Sequence, residues 1–205
     1  MNTINDIIGL ASGILVVISA FPYSWRVWER KITPNITGWS LWAVVGLALL
    51  LTYHGSGARA NVWPAVFGFT NPLLITILAI IKRGERTKLK SLEWACVAFC
   101  FISLVAFLLV RGNQVLVQYA LYIAIVADGC AALPTIDFVY KHPMNDRPGA
   151  WAMFAVAFSL ALFAITEHTV ANYSLPIYMF IVCCVIIFPL VRVRIKNRTP
   201  LKEWI

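Results

Sequence analysis

The sequence predicts an all-α membrane protein of seven transmembrane helices, arranged as two parallel three-helix bundles joined by one linker helix. Three observations carry that expectation. First, 60% of the 205 residues are hydrophobic and 13% are charged, with a mean hydropathy of +0.79, a balance outside the range of water-soluble domains. Second, segment 20–42 returns 112 positions later without a gap: Ala20 answers Ala132, Pro22 answers Pro134, Val27 answers Val139, Trp28 answers Tyr140, Trp39 answers Trp151 and Trp42 answers Phe154. The register continues through Leu50 and Leu162, Pro64 and Pro176, Ile75 and Ile187, and Leu78 and Leu190. Leu and Val matches say little in so apolar a chain, but coincident Pro and Trp mark a tandem duplication. Third, the basic residues fall in alternate gaps between apolar runs.

The runs cover roughly 7–23, 39–53, 62–81, 94–110, 115–140, 150–165 and 170–191. The first follows MNTIND, which lacks a basic leader region, so it is read as a retained span rather than a cleaved signal. The second opens at Gly38-Trp39-Ser40, the third holds Gly68, Asn71 and Pro72, and the fourth has no copy. The fifth carries Asp128 and Pro134, the sixth repeats the second, and the seventh carries Cys183 before a basic tail. Helices are the spanning elements, because the runs are too long and too uniformly apolar for alternating barrel strands. The predicted units are 1–85, the first triple-helix repeat; 86–113, the linker helix; and 114–205, the second triple-helix repeat with its tail.

Orientation follows from charge. Arg26, Arg30 and Lys31 follow the first run, Lys82, Arg83, Arg86, Lys88 and Lys90 the third, Lys141 and Arg147 the fifth, and Arg192, Arg194, Lys196, Arg198 and Lys202 the last. The other side has only Arg59 and Arg111. The positive-inside rule then places the N-terminus outside and the C-terminus in the cytoplasm of a multi-pass cell-membrane protein. The copies begin at helices one and five, an even number of crossings apart, so the fourth span makes them parallel.

Several function classes drop out. The formal charge of +8 is spread over short gaps rather than a soluble basic face, so nucleic acid is not the expected partner. Cys96, Cys100, Cys130, Cys183 and Cys184 all lie in apolar runs, as small hydrophobes do, so neither a disulfide framework nor a metal site is expected. No lysine stands within a span, which excludes a retinal Schiff base. No P-loop, H-E-x-x-H or G-x-S-x-G pattern occurs, and neither an enzyme nor a cofactor is expected. Asn35 begins an N-x-T match, but on the side read as cytoplasmic.

The 3+1+3 plan, Pro22 and Pro134 at the basic ends of the first and fifth runs, and Gly38-Trp39-Ser40 opening the second resemble the SWEET and PQ-loop superfamily. Tyr23 and Thr135 stand where that motif has Gln, and Leu50 and Leu162 where its pocket has Trp. The resemblance implies a transporter of sugar-like or other small polar solutes, with Asn71 at the substrate and Pro22 and Pro134 as hinges of a gate. Cys183 answers Asn71 in the second copy and joins the implied substrate-binding set.

Among individual residues, Asp128 is the carboxylate placed at bilayer depth. Ionised there it costs at least about 2.5 kcal/mol, so it faces a cavity, holds a partner or carries a proton. Its functional reading is a solute or proton-coupling contact; its structural one is a neutral hydrogen bond between helices. Pro72 removes the helical partner of the Gly68 carbonyl, so Gly68, Asn71 and Pro72 read either as a polar patch on a broken helix or as packing glue. Tyr53, His54, Glu167 and His168 gather at the outer ends of the second and sixth runs, as an outer gate or as ordinary interfacial residues. Tyr23 joins Pro22 at the inner gate. Asp137 either pairs with Arg26 across the repeats or is a solvated interfacial charge. Trp25, Trp28, Trp39, Trp63, Trp94 and Trp151 sit mostly at run ends, where an interfacial belt is expected.

The functional expectation is a small-solute transporter working by alternating access between its halves, by facilitated diffusion or coupled to protons through Asp128. The other class is a non-transporting receptor or interaction protein on the same scaffold. The expected partners are the solute and the bilayer, with homo-oligomers compatible with either.

Overall fold

The computed structural model describes residues 4–204. Among them the chain forms seven α-helices and no strand beyond an isolated bridge between Asn35 and Glu85. The helices are α1 (Ile4–Trp28), α2 (Ile36–Gly55), α3 (Trp63–Ile81), α4 (Ser91–Val110), α5 (Gln114–Lys141), α6 (Pro148–Phe163) and α7 (Val170–Lys196). A 3-10 turn at Ala60–Val62 leads into α3, and a second at Leu201–Glu203 follows α7.

Polar residues set the starts of these apolar helices. Asn35 accepts from the Gly38 amide, Asn113 from the amides of Val115 and Leu116, and Thr169 from that of Asn172. Each such cap satisfies an orphan donor and is worth about 1 kcal/mol. Glu93 accepts from the Lys90 amide at 2.7 Å, and Pro148 opens α6, where a missing N–H costs nothing.

Six helical segments are long and apolar enough to cross a membrane; the sixth helix, at 16 residues, is shorter. At about 1.5 Å per residue α6 spans roughly 24 Å, less than a hydrocarbon core of about 30 Å. Of the seven spans expected from the sequence, six are thus long helices and one is short. The apolar run continues past Phe163, but the backbone turns: the Ala164 amide bonds to the Ala161 carbonyl, and the Asn172 side chain takes the Glu167 carbonyl.

Displaced by 112 positions, the bounds of α1, α2 and α3 become 116–140, 148–167 and 175–193, which fall on α5, α6 and α7. The packing follows the same correspondence. Helix α3 lies against α1 and α2, α7 lies against α5 and α6, and α1 with α6 and α2 with α5 pack across. Helix α4 packs on α5 and α2 and turns Phe101, Ile102, Leu108 and Leu109 outward. Exposed apolar side chains of that kind belong against lipid.

Small residues let the backbones approach. A Cβ on Gly46 of α2 would lie 2.8 Å from both the carbonyl oxygen of Gly68 and the Cα of Phe69. Gly9 of α1 packs more closely still on the Ala60 carbonyl. Between α4 and α5 the Ser103 hydroxyl donates to the Ala120 carbonyl at 2.8 Å. This is membrane-type packing, in which close contact and interhelical hydrogen bonds replace a hydrophobic drive. The main core joins Leu41, Val45 and Leu49 of α2 to Cys96 and Cys100 of α4 and Leu121 and Ala124 of α5.

The basic loops share one end of the bundle. There the chain after α3 ties down the start of α2, through Ile36 to the Glu85 carbonyl and Glu85 to the Pro34 carbonyl. In the second copy the Gly149 amide bonds to the Trp204 carbonyl, so the chain after α7 ties down the start of α6.

Candidate functional site

A cavity of about 380 Å³ takes its lining from α1, α2, α3, α5, α6 and α7, but not from α4. Asp128, Asn71 and Cys183 stand near the midpoints of α5, α3 and α7, and all three line it, as does Gly68. The four residues singled out for substrate binding are therefore brought to one space by three helices.

Each has a defined environment. The Asn71 amide donates to the Val16 carbonyl of α1 at 3.0 Å, an oxygen that also accepts from Ser19. Val16 is the repeat counterpart of Asp128, so one copy offers a backbone carbonyl where the other adds a carboxyl. Asp128 is 3% exposed, and its Oδ2 accepts from the Tyr178 hydroxyl of α7 at 2.8 Å. On α5 it shares a face with Ala132 and Thr135, one and two turns on, which also line the cavity. A Cβ on Gly68 would meet nothing within 4 Å, so this glycine leaves room rather than permitting contact.

Aromatic rings make up much of the wall, among them Trp39, Trp42, Phe67, Trp151, Phe154 and Phe158. Trp39 and Trp151 therefore depart from the membrane belt expected of them, whereas Trp25, Trp28 and Trp94 are exposed. Sequence reasoning missed these rings as site residues, although Trp39 with Trp151 and Trp42 with Phe154 were already matched across the repeat. Recurrence at equal positions in both copies was the available signal.

The two cavity tryptophans are held differently. Trp39 donates its indole N–H to the Tyr23 hydroxyl at 3.1 Å, with ring centroids 5.0 Å apart. Trp151 donates to Asp146 Oδ2 at 3.0 Å, and Asp146 Oδ1 accepts from the Arg147 amide. Tyr23, Thr135 and Asp146 extend the lining towards the basic end, as far as the exposed Ala150.

Arg194, read from sequence as a tail charge, is buried. Its guanidinium donates to the carbonyls of Pro143 at 2.9 Å, Leu190 at 3.1 Å and Asp146 at 2.5 Å. This fork fixes the α5–α6 loop and with it Asp146. Lys82, the counterpart of Arg194, lies 3.9 Å over the Trp28 ring instead.

The other end of the bundle is filled. Tyr53, 1% exposed, donates to the Asn172 carbonyl of α7 at 2.8 Å and receives the Asn61 amide at 2.5 Å. Gln114 adds bonds to the Ser56 carbonyl and to Glu167. Tyr53 thus lies beyond the cavity, in a polar plug, and His168 pairs with Tyr173 rather than with it. Pro72 lines the cavity, whereas Pro22 and Pro134 are exposed outside it. Pro22 borders a surface groove with Trp25 and Lys31. There the Lys31 ammonium bonds to Glu29 at 2.8 Å and holds that carboxyl below the usual carboxylate range. Asp137 bonds to Lys141 at 2.8 Å, one turn along α5, in place of the cross-repeat pair with Arg26.

The arrangement offers an aromatic chamber with the Asp128 carboxyl at mid-depth, filled at one end by the Tyr53 cluster and reaching the exposed Ala150 at the other. No family model matches the chain, and neither a curated protein nor a solved structure does.

Proposed function

We propose that the protein is a small-solute transporter of the cell membrane, in which two parallel three-helix halves, α1–α3 and α5–α7, rock about the central cavity while α4 links them. The observation that carries this reading is the packing correspondence: exchanging α1, α2, α3 with α5, α6, α7 keeps which of these six helices pack together, α4 aside, and the cavity sits where the two sets meet. A site between repeats related by such an exchange is where alternating access is built. The residues shared with the SWEET and PQ-loop plan support the same reading. The basic end is the cytoplasmic one, by the distribution of Lys and Arg.

The test is flux. Purified protein is reconstituted into vesicles loaded with a mixture of sugars, polyols, amino acids, amines and carboxylic acids, and efflux is followed by mass spectrometry. At least one class leaves faster than from protein-free vesicles, and Gly68→Leu, whose side chain enters open space, abolishes the difference at unchanged melting temperature. Saturable quenching of tryptophan fluorescence by a solute that never crosses would replace the transporter by a receptor.

A further inference from the structure

We propose that the cavity binds a small organic cation bearing no carboxylate, and that this cation and a proton occupy Asp128 in turn, so that the protein exchanges one for the other. The inference rests on the transporter reading and adds its substrate class and coupling.

Charge is the first argument. The lining holds two carboxylates, Asp128 and Asp146, and no Lys, Arg or His. Both Asp146 oxygens are engaged at the basic end, which leaves Asp128 as the charge at mid-depth. An anionic solute, or the carboxylate of an amino acid, meets no cation in this wall, and Asn71 already spends an N–H on Val16.

The second argument is the aromatic surface. Trp42, Phe67 and Phe154 line the same space as Asp128. A desolvated cation over such faces gains about 2 kcal/mol or more. Sugars and polyols require several hydrogen-bonding partners, and here the mid-depth wall offers Asn71, Ser19 and Asp128 among apolar side chains.

The third argument is the isolation of the carboxyl. The titratable groups around Asp128 are Tyr178 and Cys183 of α7, Cys96 and Cys100 of α4, and Cys130 of its own helix. None is a cation. A lone carboxylate in such a wall must be neutralised, and the two agents available are a bound proton and a bound cationic solute. They exclude one another, because either one removes the charge that attracts the other. Tyr178 serves both states, since its hydroxyl donates to Oδ2 whether or not the group is protonated. When a monovalent cation enters, Asp128 releases one proton to water, and the reverse follows on the other side. One charge moves each way per cycle, so the exchange is electroneutral.

The experiment uses radiolabelled tetraethylammonium, which cannot cross a bilayer by shedding a proton. Full-length protein is reconstituted into vesicles with an acidic lumen, and uptake is compared with that of glucose and glutamate. Tetraethylammonium accumulates, the lumen alkalinises in step, and collapsing the pH gradient stops accumulation; glucose and glutamate stay at the protein-free level. Asp128→Asn lowers cation uptake about thirtyfold or more, as loss of a buried charge partner does, and Asp128→Glu restores part of it. Should the Asn variant fail to fold, the wild-type pH series decides, because external acid must compete with the cation for binding. Glucose flux without cation flux overturns the cation assignment and leaves a transporter. Cation binding that quenches tryptophan fluorescence and is released by acid, without flux, upholds the assignment at Asp128 and overturns transport. Cation uptake or binding indifferent to pH overturns the exchange.

Discussion

At the scale of single residues, two glycines of similar appearance have opposite roles. Gly46 meets backbone on α3 at 2.8 Å, whereas Gly68 opens on empty space. Gly46→Ala must push α2 from α3 and should cost about 1–3 kcal/mol, while Gly68→Ala should leave the melting temperature unchanged; a thermal-shift series on the purified variants checks both. Arg194 makes a third case. Arg194→Lys keeps the charge but cannot span the Pro143, Leu190 and Asp146 carbonyls together. Hydrogen bonds to a charged group contribute about 1.5–3 kcal/mol, so the lysine variant should unfold earlier and expose the α5–α6 loop to protease. The candidate site was partly legible at this scale. A carboxyl, an amide and a Gly before a Pro in the middle of apolar runs have few reasons to be there, and all line the cavity. Trp39 and Trp151 were legible as cavity residues only through their recurrence, because an aromatic ring at a run end is equally at home in the lipid interface and at a cavity mouth. Tyr178 was hidden for another reason: nothing in one helix tells which face of the next it meets.

At the scale of elements, hydropathy located the helices well, because length and apolarity act within one segment. The exception is α6, whose apolar run outlasts its helix; there the limit comes from side-chain bonds made across the α6–α7 turn, which no local pattern encodes. The prolines belong to this scale too. Pro22 and Pro134 each free a carbonyl in the preceding turn, on Ile18 and Cys130, and both are exposed outside the cavity. Since neither lines the cavity, the part proposed for them is in helix bending. Pro22→Ala or Pro134→Ala should lower maximal flux several-fold while leaving the half-saturating solute concentration unchanged, and the double variant should lose more than either. A changed half-saturation would place these prolines at the solute instead.

At the scale of the whole molecule, the two ends of the cavity differ while the scaffold that holds them repeats. The filled end depends on Tyr53, whose hydroxyl joins Asn61 before α3 to Asn172 of α7 and so ties one copy to the other. Tyr53→Phe removes that tie, worth about 0.5–1.5 kcal/mol, and shifts the balance towards conformers open at that end. In a background with the five cysteines replaced, a thiol at Ala65→Cys should then react several-fold faster with an impermeant maleimide applied from the side opposite the basic loops. Unchanged labelling would remove Tyr53 from the closure. For the proposed exchange, the repeat also bears on how many charges one passage can move. Two identical halves assembled as a dimer would present every pocket group twice, and a pair of facing carboxyls would repel when both are ionised. In this chain Asp128 stands opposite Val16 and Asn71 opposite Cys183, so the matched positions differ at the centre. Under the proposed exchange a single acid at the meeting point sets the stoichiometry at one, which no symmetric dimer of half-length chains can do with a group carried on its own sequence.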